Sequence, residues 1–245
     1  MKQLCLTNAQ KHVNRWITAI FLAVLTGGCT MFGYDLQEND EYNHSVRSSE
    51  LNVDAWTFMN QRSDLFSGML SAIEYVKDIE PGIEDLYKAY DNTYLLLTDM
   101  ALTIVDNNSY AYFNMNRIYD PLNSQWLIPT SWTAYPKRQV LQLLKYHVIK
   151  APLSYGQLSE TLTWYDTYAA GDTAKIAVYY TKDANLRLYF NNYADVPSVA
   201  IPGSSSTVTY TNIMPRTTSL IATNGIVHVM DRWLIPPTRK AVFGY

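Results

Sequence analysis

Hydrophobic and polar positions in the first half of the chain follow a helical period. Apolar residues recur at spacings of four, four and three between Leu65 and Val76, which places them on one face of a helix. Asp54 is suited to cap the start of this helical region, because its carboxylate accepts hydrogen bonds from the first free N–H groups. Pro136 is suited to begin a later helix. The pattern predicts packing helices in this half.

The second half of the chain alternates with a period of two, which is typical of strands. The predicted strands span residues 174–181, 185–191 and 207–212. Asn224-Gly225 predicts a two-residue hairpin turn with positive φ at both positions. The strand that follows, from Ile226 to Leu234, carries apolar residues on both faces, which indicates a central strand. Helices followed by antiparallel strands indicate an α+β fold.

Three segments together resemble the fasciclin-like domain, an extracellular adhesion module. The closing hairpin with its strand, Ala222–Pro237, resembles the last sequence box of that family. Leu143–Ile149 resembles the middle box, and Thr93–Leu102 resembles the first. The three occur in the family's order and cover roughly residues 52–237. The resemblance implies a β-sandwich or wedge with several packed helices, formed as a single domain over residues 51–245.

The first 28 residues have the layout of an export signal. Basic residues precede a short apolar run, and small residues then lead to Cys29. The apolar run is about half of the ~20 residues that a transmembrane helix needs. The ending resembles the bacterial lipobox, in which the cysteine is acylated and becomes the first mature residue. We therefore predict a signal peptide over residues 1–28 and palmitate-type lipid attachment at Cys29.

Residues 29–50 are predicted to be a polar tether. Acidic residues soon after the acylated cysteine resemble signals that direct some lipoproteins of gut-dwelling Gram-negative bacteria to the outer face of the outer membrane. Because a bacterial lipoprotein carries three acyl chains, membrane attachment of this kind is effectively permanent. The expected location is therefore the outer membrane, with the domain exposed at the cell surface.

Composition excludes several function classes. Removal of the leader takes away Cys5 and acylation uses Cys29, so no thiol remains for a disulfide or a thiolate metal site. The net charge of -3 argues against nucleic acid, whose binding depends on clustered Lys and Arg. Glycine-rich phosphate loops and the Gly-x-Ser-x-Gly elbow are missing from the sequence, so we predict no enzyme and no cofactor.

Histidine is scarce in the predicted domain. His147 and His228 are in principle able to share a metal ion, but neither has a second ligand at helical or hairpin spacing. Both lie in segments where the resembling family uses histidine within its packed framework, so we expect no metal site. The Tyr146-His147 pair also matches a pair that animal matrix members of the family are proposed to use for integrin contact. A framework role is favoured, and adhesion remains the alternative.

Aromatic residues are concentrated between the first and middle boxes. Tyrosine and tryptophan combine a large apolar face with a polar edge, which suits them to interfaces as well as to cores. The sequence leaves open whether these aromatic residues form a binding surface or fill the core. The candidate partner-binding residues are Tyr112, Trp126, Trp132, Tyr146 and His147.

These features predict a lipid-anchored, non-enzymatic binding or adhesion module of the cell envelope that contacts a protein or glycan partner. The alternative is an accessory glycan-binding lipoprotein of a surface polysaccharide-uptake system, in which the aromatic residues stack on sugar rings.

Overall fold

The computed structural model describes residues 49–103, 110–171, 174–182, 187–193, 196, 198–209 and 212–237. The predicted leader, Cys29 and most of the predicted tether lie outside these ranges. Within the described ranges, no helix combines the length and apolar character needed to cross a membrane.

In the described residues the α-helices all lie before residue 147 and most strands follow it, which confirms the α+β class. The helices are α1 (Ala55–Gln61), α2 (Ser63–Val76), α3 (Ile83–Leu86), α4 (Asp99–Leu102), α5 (Tyr112–Met115) and α6 (Lys137–Tyr146). Short 3-10 turns occupy Trp132–Ala134 and Tyr155–Gln157.

Helix positions follow from the predicted caps and faces. The Asp54 side chain accepts a hydrogen bond from the N–H of Thr57 at 2.7 Å, which confirms it as the cap of α1. The backbone leaves helical geometry at Arg62, so the long helical region is divided into α1 and α2. Pro136 stands directly before α6, where its missing N–H costs no intrahelical hydrogen bond. The apolar face of α2 is buried in the core.

The strands are short, and several pair only locally. They are β1 (Asn92–Leu97), β2 (Ile118–Asp120), β3 (Gln125–Leu127), β4 (Val148–Ile149), β5 (Thr163–Asp166), β6 (Lys175–Tyr180), β7 (Leu188–Phe190), β8 (Ser198–Ala200), β9 (Thr207–Thr209), β10 (Thr217–Ala222) and β11 (Gly225–Met230). Four strands form one sheet in the order β10-β11-β1-β4, and three form another in the order β5-β6-β7. The β2–β3 and β8–β9 pairs are separate hairpins.

The centre of the larger sheet is the parallel pair of β1 and β11. All six residues of β1 are buried, and they pair in register from Asn92 opposite Gly225 to Leu97 opposite Met230. Burial on both faces explains why both strands are almost continuously apolar rather than alternating. The structure thus confirms the central strand that the sequence predicts.

The geometry of the closing hairpin differs from the prediction in two respects. The turn consists of Thr223 and Asn224, because Ala222 pairs directly with Gly225, and none of the turn residues has positive φ. Gly225 is instead required for close approach, since a Cβ there would collide with the carbonyl oxygen of Asn92. The strand also ends at Met230 instead of Leu234. The N–H of Leu234 donates a hydrogen bond to the side chain of His147 and not to a neighbouring strand.

Candidate functional site

The structure separates the five predicted contact residues into buried and exposed ones. Tyr112, Tyr146 and His147 are fully buried, and Trp132 is nearly so. Trp126 is 44% exposed. These burials place Tyr112, Tyr146 and His147 in the core and leave Trp126 as the exposed candidate for partner contact.

Tyr146 and His147 connect three parts of the core. The Tyr146 hydroxyl donates to the carbonyl of Lys175 at 3.0 Å and accepts from the Asn191 amide at 2.9 Å. In His147, Nδ1 donates to the carbonyl of Leu143 at 2.8 Å and Nε2 accepts from the N–H of Leu234 at 2.8 Å. With both ring nitrogens used by the backbone, this histidine is a framework group.

Burial also holds both core histidines in the neutral form. Desolvation lowers the pKa of His147 to about 4, against the opposing effect of its bond to Leu143. It lowers the pKa of His228 to about 4 in the same way. His228 accepts a hydrogen bond at Nδ1 from the N–H of Ser219 at 3.1 Å. In the part of the chain that the structure describes, His, Cys, Asp and Glu side chains form no group suited to a metal ion.

Tyr112 and Trp132 belong to an aromatic cluster under the surface. The Tyr112 ring lies 5.5 Å from the ring of Trp132, 5.4 Å from Tyr135 and 5.0 Å from Trp233. These edge-on and tilted contacts are the arrangements that aromatic quadrupoles favour in a core. The Trp132 indole N–H donates to the carbonyl of Gly68 at 2.8 Å, which ties the cluster to α2.

The β2–β3 hairpin carries an exposed apolar surface. Ile118 pairs with Leu127 and Tyr119 pairs with Trp126, so one face is aliphatic and the other aromatic. Both faces remain partly exposed: Ile118 is 38% and Leu127 is 42% exposed on one face, and Tyr119 is 50% exposed on the other. Leu122 in the turn is 93% exposed. Exposed apolar surface of this kind marks interaction sites in soluble domains. We refer to residues 118–128 as the exposed hairpin.

The exposed hairpin is held in place at its aromatic face. The rings of Tyr119 and Trp126 lie 5.4 Å apart. The Trp126 ring packs so closely on Gly203, in the turn between β8 and β9, that a Cβ at this glycine would overlap the indole. The positive φ of 71° at Gly203 independently favours glycine there. Trp126 is therefore an oriented side chain, which reduces the entropy that binding would cost.

A surface cleft is lined in part by residues 130–133, which follow the exposed hairpin in the sequence. Its volume is about 650 Å³, which is in the range of small-molecule sites. One wall is formed by α2, through Ser67, Ser71, Glu74 and Tyr75. Residues 130–133, including the buried Trp132, form another part of the lining, together with Thr103 and the buried Phe113. We refer to this feature as the hydroxyl cleft, because most of its polar lining is serine and threonine.

The sequence prediction missed most of both surfaces. The exposed hairpin had a usable signal, since adjacent apolar pairs at Ile118-Tyr119 and Trp126-Leu127 flank the turn-forming Asp120-Pro121 and leave no polar face. The hydroxyl cleft had none, because its walls come from segments about 60 residues apart, and ordinary serines and threonines become a site only when the fold brings them together.

The family comparison covers the middle and last of the three sequence boxes. Residues 128–236 match the family model of the fasciclin domain. A solved structure of a FAS1 domain pair from the insect cell adhesion molecule fasciclin I matches with 14% identity and a TM-score of 0.39. This match covers 68% of the present chain and 45% of the other, so the chain spans less than half of that protein. No curated protein is similar enough in sequence to match.

The matched residues 128–236 include α6, the Tyr146-His147 pair and the whole β10–β11 hairpin. These are the elements in which buried histidines and a central strand form the framework. Residues 128–236 therefore carry a fasciclin-like domain, a kind of domain associated with adhesion or binding.

Proposed function

We propose that this protein is a lipid-anchored binding module of a Gram-negative outer membrane, and that it contacts a protein partner through the exposed hairpin. The module is non-enzymatic: the anchor holds it at the envelope and the rigid domain presents the hairpin. The predicted signal peptide, Cys29 and the polar tether support the location. The observation that carries the proposal is the uncovered apolar surface of residues 118–128.

The composition of the exposed hairpin favours a protein over other partners. Interface centres are enriched in Tyr and Trp and depleted of charge. The hairpin presents Tyr119 and Trp126 with aliphatic neighbours, and Asp120 is its only charged side chain. Asp120 is already engaged within the turn, where it accepts from the N–H of Leu122 at 2.9 Å and from the amide of Asn123 at 2.7 Å.

Site-specific photo-crosslinking in living cells tests the contact. A photoreactive phenylalanine analogue placed at Tyr119 should yield a discrete protein adduct, because this ring is half exposed. When the photoreactive residue is placed at Ile128 instead, the double variant Tyr119→Ser/Leu122→Ser should reduce recovery of the adduct with the same partner protein. Tyr90→Ser is the matched control, since Tyr90 is an exposed aromatic residue outside the hairpin.

Equal adduct recovery from the double variant and the Tyr90→Ser control would contradict the proposed contact surface. So would the absence of any adduct from Tyr119 when a crosslinker at Tyr90 gives one.

Lipid attachment is tested separately with radioactive palmitate. The natural chain should be labelled and should sediment with membranes, whereas Cys29→Ser should lose the label and enter the soluble fraction. A Cys29→Ser protein that is still labelled would contradict the anchor without affecting the contact surface. Protease treatment of intact cells then tests the orientation, because a surface-exposed domain should be degraded before a periplasmic marker protein.

A further inference from the structure

The hydroxyl cleft has an unusual polarity. Four of its hydroxyl groups donate their protons to acceptors within the protein. Ser67 donates to Asp99 at 2.5 Å, Ser71 to the carbonyl of Gly68 at 2.9 Å, Thr103 to the carbonyl of Asp99 at 2.8 Å, and Thr133 to the hydroxyl of Ser131 at 3.1 Å. A hydroxyl has one proton and two lone pairs, so groups that donate inward offer acceptors outward.

The charge of the cleft is also restricted. Its lining residues include no Lys, Arg or His within the described part of the chain, so the cleft offers no cation to a phosphate or a carboxylate ligand. Glu74 is the carboxylate among these residues, and it forms an ion pair of 2.5 Å with Lys77. Lys77 also pairs with Glu84 at 2.6 Å, so it offsets the charge of Glu74 only in part and weakens attraction for a cationic ligand to that extent.

The remaining lining is aromatic. Tyr75 is half-buried and presents part of its ring to the cleft, whereas Phe113 and Trp132 are 3% and 5% exposed and contribute little open surface. Tyr75 is fixed by a hydrogen bond of 2.9 Å from its hydroxyl to the carbonyl of Tyr135, and Trp132 is fixed by its bond to Gly68. Oriented rings beside outward-facing acceptors suit a neutral ligand with C–H faces and many hydroxyl donors.

We propose that the hydroxyl cleft binds a neutral saccharide of one to three sugar units. Sugar hydroxyls would donate to the oxygens of Ser67, Ser71, Thr103 and Thr133, while the C–H faces of the sugar ring would lie against Tyr75. This site is separate from the exposed hairpin, and the inference does not depend on the function proposed above. It would give the glycan-binding alternative a defined location.

Titration calorimetry of the detergent-solubilised full chain tests this inference. The probes are glucose, galactose, mannose, N-acetylglucosamine and their di- and trisaccharides, with putrescine as a cationic comparison. At least one saccharide should bind, and putrescine should not. Ser71→Trp should fill the cleft and lower the association constant by about tenfold or more, which is about 1.4 kcal/mol. Ser63→Trp is the matched control, because Ser63 is an exposed serine of the same helix outside the cleft.

Thr133→Trp fills the cleft from residues 130–133, and circular dichroism shows whether each variant is folded. The inference would be overturned if no saccharide bound, if putrescine alone bound, or if folded Ser71→Trp, Thr133→Trp and Ser63→Trp variants bound equally. Loss of saccharide binding in Tyr119→Ser/Leu122→Ser, with full binding in Ser71→Trp, would also overturn it, because the sugar would then occupy the exposed hairpin.

Discussion

Two hairpins of this protein are rich in apolar residues but differ in what surrounds them. The β11 strand of the β10–β11 hairpin pairs with β1 along six residues and lies in the core, and β10 is the partly exposed edge strand beside it. The exposed hairpin pairs three residues of β2 with three of β3, in a sheet of two strands. An isolated two-stranded hairpin is at best marginally stable in water, so its outward apolar residues contribute little to folding. The comparison separates a hairpin that holds the fold from one that is available for binding.

A methyl group at Gly225 should have the largest effect on stability. The Cβ of Gly225→Ala would collide with the carbonyl oxygen of Asn92 in the neighbouring strand, and backbone is unable to move aside as a side chain does. We expect a loss of about 3 kcal/mol or more in the free energy of unfolding, measured by urea denaturation. Gly156→Ala is the control, since nothing lies within 4 Å of its Cβ. Equal stability of the two variants would show that β1 and β11 are not closely paired.

Removal of the Asn224 side chain should have the next largest effect. Its oxygen accepts from the N–H of Ala55 at 3.0 Å, and its amide donates to the carbonyls of Tyr87 at 2.9 Å and Ala89 at 3.0 Å. Asn224→Ala leaves these buried groups without that partner, which should cost about 2 to 3 kcal/mol in urea denaturation. Asn123→Ala, in the turn of the exposed hairpin, is the comparison and should cost much less. A reversed order would contradict the distinction between the hairpins.

Acidification should weaken the framework through its histidines. The pKa values of His147 and His228 are about 4 in the folded protein and near 6.5 when unfolded, so below pH 6.5 the unfolded chain binds more protons. Stability is therefore complete above pH 6.5 and decreases towards pH 4, by about 1.4 kcal/mol per pH unit for each histidine. His228→Gln should reduce this slope between pH 6.5 and 5. An unchanged slope in a folded variant would contradict the assignment.

Substitution within the exposed hairpin should have the smallest effect on stability. Leu122 is almost fully exposed, so Leu122→Ser should change the free energy of unfolding by less than about 0.5 kcal/mol. Ile226→Ser in the buried hairpin is the matched comparison and should cost several-fold more. A large loss of stability in Leu122→Ser would show that the exposed hairpin supports the fold, and would weaken its proposed role in binding.

The sequence predicts the elements of the fold better than the roles of single aromatic residues. Asp54, Pro136 and the period of the α2 face locate their helices because caps and periodicity act locally. The sequence correctly predicts that position 225 requires glycine, but it attributes this to a positive φ in a turn, which Gly225 does not have. Its actual constraint is the carbonyl of Asn92, which lies more than 130 positions away in the chain and is invisible to local rules.

The amino-acid sequence by itself determined the α+β class, the helices that begin after Asp54 and Pro136, the central character of β11 and the fasciclin-like boxes. Each of these depends on local spacing and residue type. Only the tertiary structure decided that Tyr112 is buried while Trp126 is exposed, and that scattered serines and threonines line one cleft. Both outcomes depend on which elements cover a residue, and such coverage is set by packing between distant segments.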